Sequence, residues 1–127
     1  MKKAWLASHT WETVVAINAM LCGAKNALHG PTSDGYEEAH ALWESEYARE
    51  MSLGEAIELC RCCHKIAPFC FFNGNTFAAI IKMAFQSLPN LSFTEKNVLQ
   101  SIGAHIVAGT STPEEDIQFK KLLEKIG

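Results

Sequence analysis

The chain has 127 residues, 48% of them hydrophobic and 20% charged, with a net charge of −3. That length suits one domain, residues 1–127, and is short for two; that balance excludes a disordered chain. The mild acidic excess, with Lys and Arg scattered from Lys2 to Lys125, argues against nucleic acid as a partner, because phosphate binding leaves a basic surplus on one face.

The start of the chain, Met1-Lys2-Lys3 followed by an apolar-leaning stretch to Cys22, superficially resembles an export signal. His9, Thr10, Glu12, Thr13 and Asn18 interrupt it, whereas a signal needs roughly 7–15 unbroken apolar residues. No window reaches the roughly 20 apolar residues of a membrane span, so no membrane association is expected. Cysteines stand at 22, 60, 62, 63 and 70. An odd number, three of them crowded into four positions, is a poor disulfide framework, and buried free thiols in a reducing, cytoplasmic setting are expected.

Taken in order, nearly every segment has helical periodicity, and none alternates cleanly with a period of two. The first helix is predicted from about Thr10 to Leu28, with Val14, Ile17, Leu21, Ala24 and Leu28 as its apolar stripe. His29-Gly30-Pro31 stops it. A more polar helix follows over Ser33 to Arg49, with Tyr36, Ala39, Trp43 and Tyr47 on one face. Ser52-Leu53-Gly54-Glu55 has capping-box spacing and opens a third helix. Its inner face includes Cys60 and Cys63, and Pro68 limits it to about Ala67.

An apolar loop, Phe69 to Asn75, leads to a helix over Thr76 to Leu88 that is apolar nearly all round and therefore belongs at the centre. Pro89-Asn90 ends it. The fifth helix, from near Thr94, carries Val98, Leu99, Ile102 and Ile106 to a stop at Gly109. Thr112-Pro113-Glu114-Glu115 caps the sixth, with Ile117, Leu122 and Ile126 as its inner face. The expected fold is all-α: a single domain of about six helices packed around a central apolar helix.

The segment Phe69-Cys70-Phe71-Phe72-Asn73-Gly74-Asn75-Thr76-Phe77 is the most informative. An Asn-Gly-Asn turn feeding a buried helix presents backbone N–H groups and the positive end of the helix dipole. Asn73, Gly74, Asn75 and Thr76 are therefore the candidate ligand-binding residues, for a phosphate or another anion. The simpler alternative is that Gly74 makes a turn and Asn75 or Thr76 caps the helix.

Here the chain resembles the Fic/Doc family. That family's signature, His-Pro-Phe-x-Asp/Glu-Gly-Asn-Gly/Lys-Arg, is matched at Phe71, Gly74 and Asn75. The layout is similar over nearly the whole chain: a helix from Ser52 into the loop, the apolar helix, then two shorter helices. The resemblance implies a nucleotide-transfer fold, but its working residues are missing. The position of the family's general base is Phe69, that of its metal-holding acid is Asn73, and that of its phosphate-gripping Arg is Phe77. Phe can neither take a proton nor offset phosphate charge, and Asn73 lacks the charge that hard cations favour. His64 lies five residues upstream and is expected to be a packed or surface residue.

The expectation is thus a catalytically degenerate Fic/Doc-like domain that binds a protein partner, or a phosphate or nucleotide at the Asn73–Thr76 turn. No catalytic residue, metal or cofactor is assigned. One alternative is a helical enzyme with unrelated active residues. Another is a metal or haem protein using Cys60-Arg61-Cys62-Cys63-His64, which contains the C-x-x-C-H spacing of haem attachment, or zinc with Cys22 or Cys70 added. Trp5, Trp11, Trp43, Tyr36 and Tyr47 are expected as core and rim. Glu37, Glu38, Glu44, Glu46 and Glu50 are expected as a solvated face, and His105 as a half-buried structural residue.

Overall fold

The computed structural model describes residues 2–88 and 90–126. Six helices carry the fold: α1 (Trp11–Ala24), α2 (Tyr36–Glu46), α3 (Leu53–Ile66), α4 (Asn73–Phe85), α5 (Phe93–Ala108) and α6 (Pro113–Ile126). Among the described residues there is no strand, only two isolated antiparallel bridges, Lys3 with Met51 and Pro31 with Phe69. No helix is long and apolar enough to cross a membrane. The all-α reading is correct, and α4 lies at the centre, packed against α1, α3 and α5.

Local signals fix most of the helix ends. Ser52 and Glu55 form the expected capping box of α3, and Ser92 with Glu95 forms a second one on α5. Thr112 and Glu115 exchange the same two bonds, each 3.1 Å, at the start of α6. Gly109 ends α5 in the left-handed region, φ 76°, where a Cβ would be strained. α1 stops earlier than its periodicity suggests. Asn26 turns left-handed (φ 52°), and the Ala27 N–H reaches back to the Cys22 carbonyl at 2.9 Å, closing the end four residues before Leu28.

Two apolar stripes differ from expectation. The buried face of α1 is Trp11, Val14, Asn18 and Cys22; Ile17 packs only partly against the core, and Leu28 is 68% exposed. On α6, Ile117 is exposed and Phe119 takes the inner position with Ile126. In both helices the buried face includes an aromatic side chain, Trp11 and Phe119, that the apolar stripe read from the sequence left out. On α2 the expected face holds: Ala39 and Trp43 are buried, and Tyr36 and Tyr47 flank them.

The expected span of α4 is shifted by three residues. The helix ends at Phe85, where Gln86 and Leu88 donate three residues back to Met83 and Phe85; the stop assigned to Pro89 lies outside the described residues. Nor is α4 apolar on every side in effect. Phe77, Ile80, Ile81, Ala84 and Phe85 are buried, whereas Lys82 and Met83 are exposed. α5 (16 residues) and α6 (14) are both longer than α4 (13), not shorter as the resemblance implied.

The three capping-box carboxylates give the fold an acid sensitivity of known sign. All three are held below the ordinary Glu value: Glu55 chiefly by the Ser52 N–H, Glu95 by Lys125, and Glu115 by His105. A depressed carboxylate contributes stability above its unfolded value, about 4.3 for Glu, and loses it as pH falls through the folded value. Melting temperature should therefore drop as pH falls below about 4.3, with a shallower slope in a Glu95→Gln, Glu115→Gln variant. Equal slopes in the two proteins would contradict this.

Candidate functional site

The loop before α4 is organised by its own amides. The Asn73 Oδ1 accepts from the Phe69 N–H at 2.9 Å, and the Asn73 Nδ2 donates to the Phe69 carbonyl at 2.8 Å. This closed ring lets Phe72 adopt the left-handed conformation (φ 62°, ψ 33°) as N-cap. Helical geometry then begins at Asn73, so Asn73-Gly74-Asn75-Thr76 is the first turn of α4 and not a loop preceding it. Neither Asn75 nor Thr76 caps the helix. The Thr76 N–H and hydroxyl both donate to the Phe72 carbonyl, at 3.0 and 2.7 Å.

A buried polar centre anchors this turn to α1. Asn18 is fully buried. Its Nδ2 donates to the Phe71 carbonyl at 2.8 Å and to the Thr76 Oγ1 at 3.1 Å. Its Oδ1 lies 2.9 Å from the His29 Nδ1 and 3.5 Å from the Cys22 thiol. With both Asn18 N–H groups spent on acceptors, Oδ1 is an acceptor and the His29 Nδ1 must carry the proton. Leaving such a group unpaired costs about 1–3 kcal/mol, so Asn18 specifies where the 71–76 backbone sits.

The side chains of Asn73 and Thr76 are therefore committed to the protein. What the turn offers outward is backbone. Among the described residues, the N–H groups of Asn73, Gly74 and Asn75 have no acceptor, and Asn75 is exposed. Every other helix has a carboxylate in its first turn; α4 has neither an acid there nor a side-chain cap. Its positive end is uncompensated.

Gly74 is helical, and close approach explains it better than turn geometry. A Cβ there would stand 3.1 Å from the Cε1 and 3.4 Å from the Nδ1 of His64. The His64 ring, projecting from the last turn of α3, thus lies against the first turn of α4. Its Nδ1 is buried without a hydrogen-bond partner, and desolvation lowers its pKa, which favours the neutral ring. On the other side, the Gly74–Lys82 face of α4 opens into a groove of about 360 Å³. Ala78 and Ala79 form its floor, with Leu21 of α1 and Ala104 and Ala108 of α5 on its walls.

The positions that the resemblance gives to the base and the clamp are core positions. Phe69 is 2% exposed and stacks on Trp11 at 5.9 Å. Phe77 is fully buried, with its ring 5.9 Å from Trp43. Phe71, the residue that matches the signature, is half exposed.

The other candidates are separated by the fold. Cys60 and Cys63 are buried, and burial raises both thiols, Cys63 to about 12, so they are inert as nucleophiles. Cys62 points instead toward Glu58. Among the described residues no three His, Cys, Asp or Glu side chains converge as metal ligands. Cys70 is exposed, but its thiol turns to the Pro31 carbonyl. Beside the Pro31–Phe69 bridge, the Cys70 N–H donates to the Gly30 carbonyl at 3.0 Å. His105 is exposed, not half-buried; its Nδ1 joins the Glu115 carboxylate at 2.6 Å.

Asn18, His29 and His64 were not legible as site residues. The signal that could have found Asn18 was its position on the α1 stripe, four residues after Val14. Set against known protein families, curated proteins and solved structures, the chain finds no match.

Proposed function

We propose that this protein is a catalytically degenerate Fic/Doc-like domain that acts by binding, and that the open first turn of α4 receives a phosphate group, free or carried by a nucleotide. The observation that carries this reading is that α4 alone among the six helices has neither a capping side chain nor an acid in its first turn. Three convergent N–H groups at a helix N-terminus form an anion site. The exposed Lys82 lines the same groove as Gly74 and Asn75 and adds a cation. A protein partner would satisfy the same chemistry with a carboxylate or phosphorylated side chain. The family part of the reading rests on Gly74-Asn75 and on the central place of α4 after the capped helix α3.

Substitution of the exposed Asn75 by Glu separates binding from stability. A carboxylate in the first turn complements the helix dipole and should stabilise the fold by about 0.3–1 kcal/mol. The same charge occupies and repels the anion position. Calorimetry with inorganic phosphate and ATP should give roughly millimolar dissociation constants for wild type, weakened at least severalfold in Asn75→Glu, while the variant melts higher. Phosphate binding of equal strength in both proteins would place the site elsewhere.

A further inference from the structure

A second cleft, of about 450 Å³, lies between the start of α1 and the end of α2 and is lined by Thr10, Trp11, Glu12, His40, Glu44 and Tyr47. Its chemistry is opposite to that of the α4 turn. Glu12 and Glu44 stand on different helices, and among the described residues neither forms an ion pair with Lys or Arg. Among the described residues Glu44 pairs with His40 alone, at 3.8 Å. Glu44 also sits in the last turn of α2, which contains no basic residue, so its charge adds to the negative end of the helix dipole instead of cancelling it.

Apart from Thr10, the rest of the lining is aromatic. His40 stacks on Trp11 with centroids 5.0 Å apart and planes 12° from parallel, and Phe69 also stacks on that indole at 5.9 Å. Tyr47 stacks on the buried Trp43. Planar rings flanked by two carboxylates that, among the described residues, lack a Lys or Arg partner suit an organic cation, which gains from stacking and from charge at once. A bare metal ion is less well served, because no three ligating side chains converge among the described residues. A flat guanidinium can face the rings while its edge N–H groups reach carboxylates on two helices.

We infer that the α1–α2 cleft is a binding site for a guanidinium group, held between Glu12 and Glu44 against His40 and Tyr47. The source is either a small guanidino compound or an arginine side chain of a polypeptide. This inference is independent of the α4 turn.

The test is a titration at low salt with agmatine, with a blocked Gly-Arg-Gly peptide, and with 1,4-diaminobutane, a dication like agmatine with an ammonium in place of the guanidinium, followed by calorimetry and Trp fluorescence. Saturable binding of a guanidinium probe is expected, tighter for agmatine than for 1,4-diaminobutane. Glu12→Gln and Glu44→Gln should each weaken it by roughly two- to fivefold and together by more. Both residues are exposed, so circular dichroism should show the variants folded. Peptide binding tighter than agmatine identifies a polypeptide source, and the reverse identifies a small molecule; either supports the site. No saturation by roughly 10 mM, or equal affinity in the folded double variant, would overturn it.

Discussion

Incubated with labelled ATP and protein acceptors, this chain should transfer neither AMP nor phosphate. On the proposed Fic/Doc-like reading, the general base is replaced by Phe69 and the phosphate clamp by Phe77, both core residues. Loss of general-base catalysis costs a factor of roughly 10²–10⁴. Loss of an arginine that stabilises transferring phosphoryl charge costs roughly 10³–10⁵ more. The imidazole that lies against Gly74 in the first turn of α4 is His64, and burial holds it toward the neutral form. A neutral imidazole is competent as a base, so the assay should include His64→Ala. Transfer abolished by that substitution would make His64 a catalytic residue and end the non-catalytic reading. Transfer that persists in His64→Ala and in Asn75→Glu would mean an unrelated active site.

Placing the arginine of the Fic/Doc signature at position 77 should unfold the protein. Phe77 has no exposed surface and packs beside Trp43. Phe77→Arg removes a buried ring and places a charge within the hydrophobic core. Each effect alone costs several kcal/mol, and together they should exceed about 4–5 kcal/mol. Against a typical total stability of about 5–15 kcal/mol, most of the population of a marginal domain would be unfolded. Circular dichroism should show a large loss of helix or a melting temperature lowered by tens of degrees. A folded variant melting near wild type would mean that position 77 has a path to solvent.

The parts of this fold legible in the sequence are those set by neighbours along the chain. Gly109 ends α5, Ser52 and Glu55 begin α3, and Thr112 and Glu115 begin α6, because each signal and its partner lie within one turn. The illegible parts depend on distant partners. Asn18 is buried by bonds to residues 53 and 58 positions later; its place four residues after Val14 puts it on the buried face of α1 but does not reveal those partners. Asn73 looks like a turn residue, yet its bonds to Phe69 advance the start of α4 by three residues. Gly74 suggests backbone freedom, but the constraint on it comes from His64 in another helix. At this turn the side chains of Asn73 and Thr76 serve the fold, and the N–H groups of residues 73–75 keep no acceptor among the described residues.

A residue-resolved amide NMR titration with inorganic phosphate tests the binding proposal most directly. The resonances of Asn73, Gly74 and Asn75 should move most and saturate together, and the response should collapse in Asn75→Glu. Phosphate that leaves those three amides unmoved while shifting others, or that produces the same shifts in the variant, would contradict the assignment of the α4 turn as the binding site.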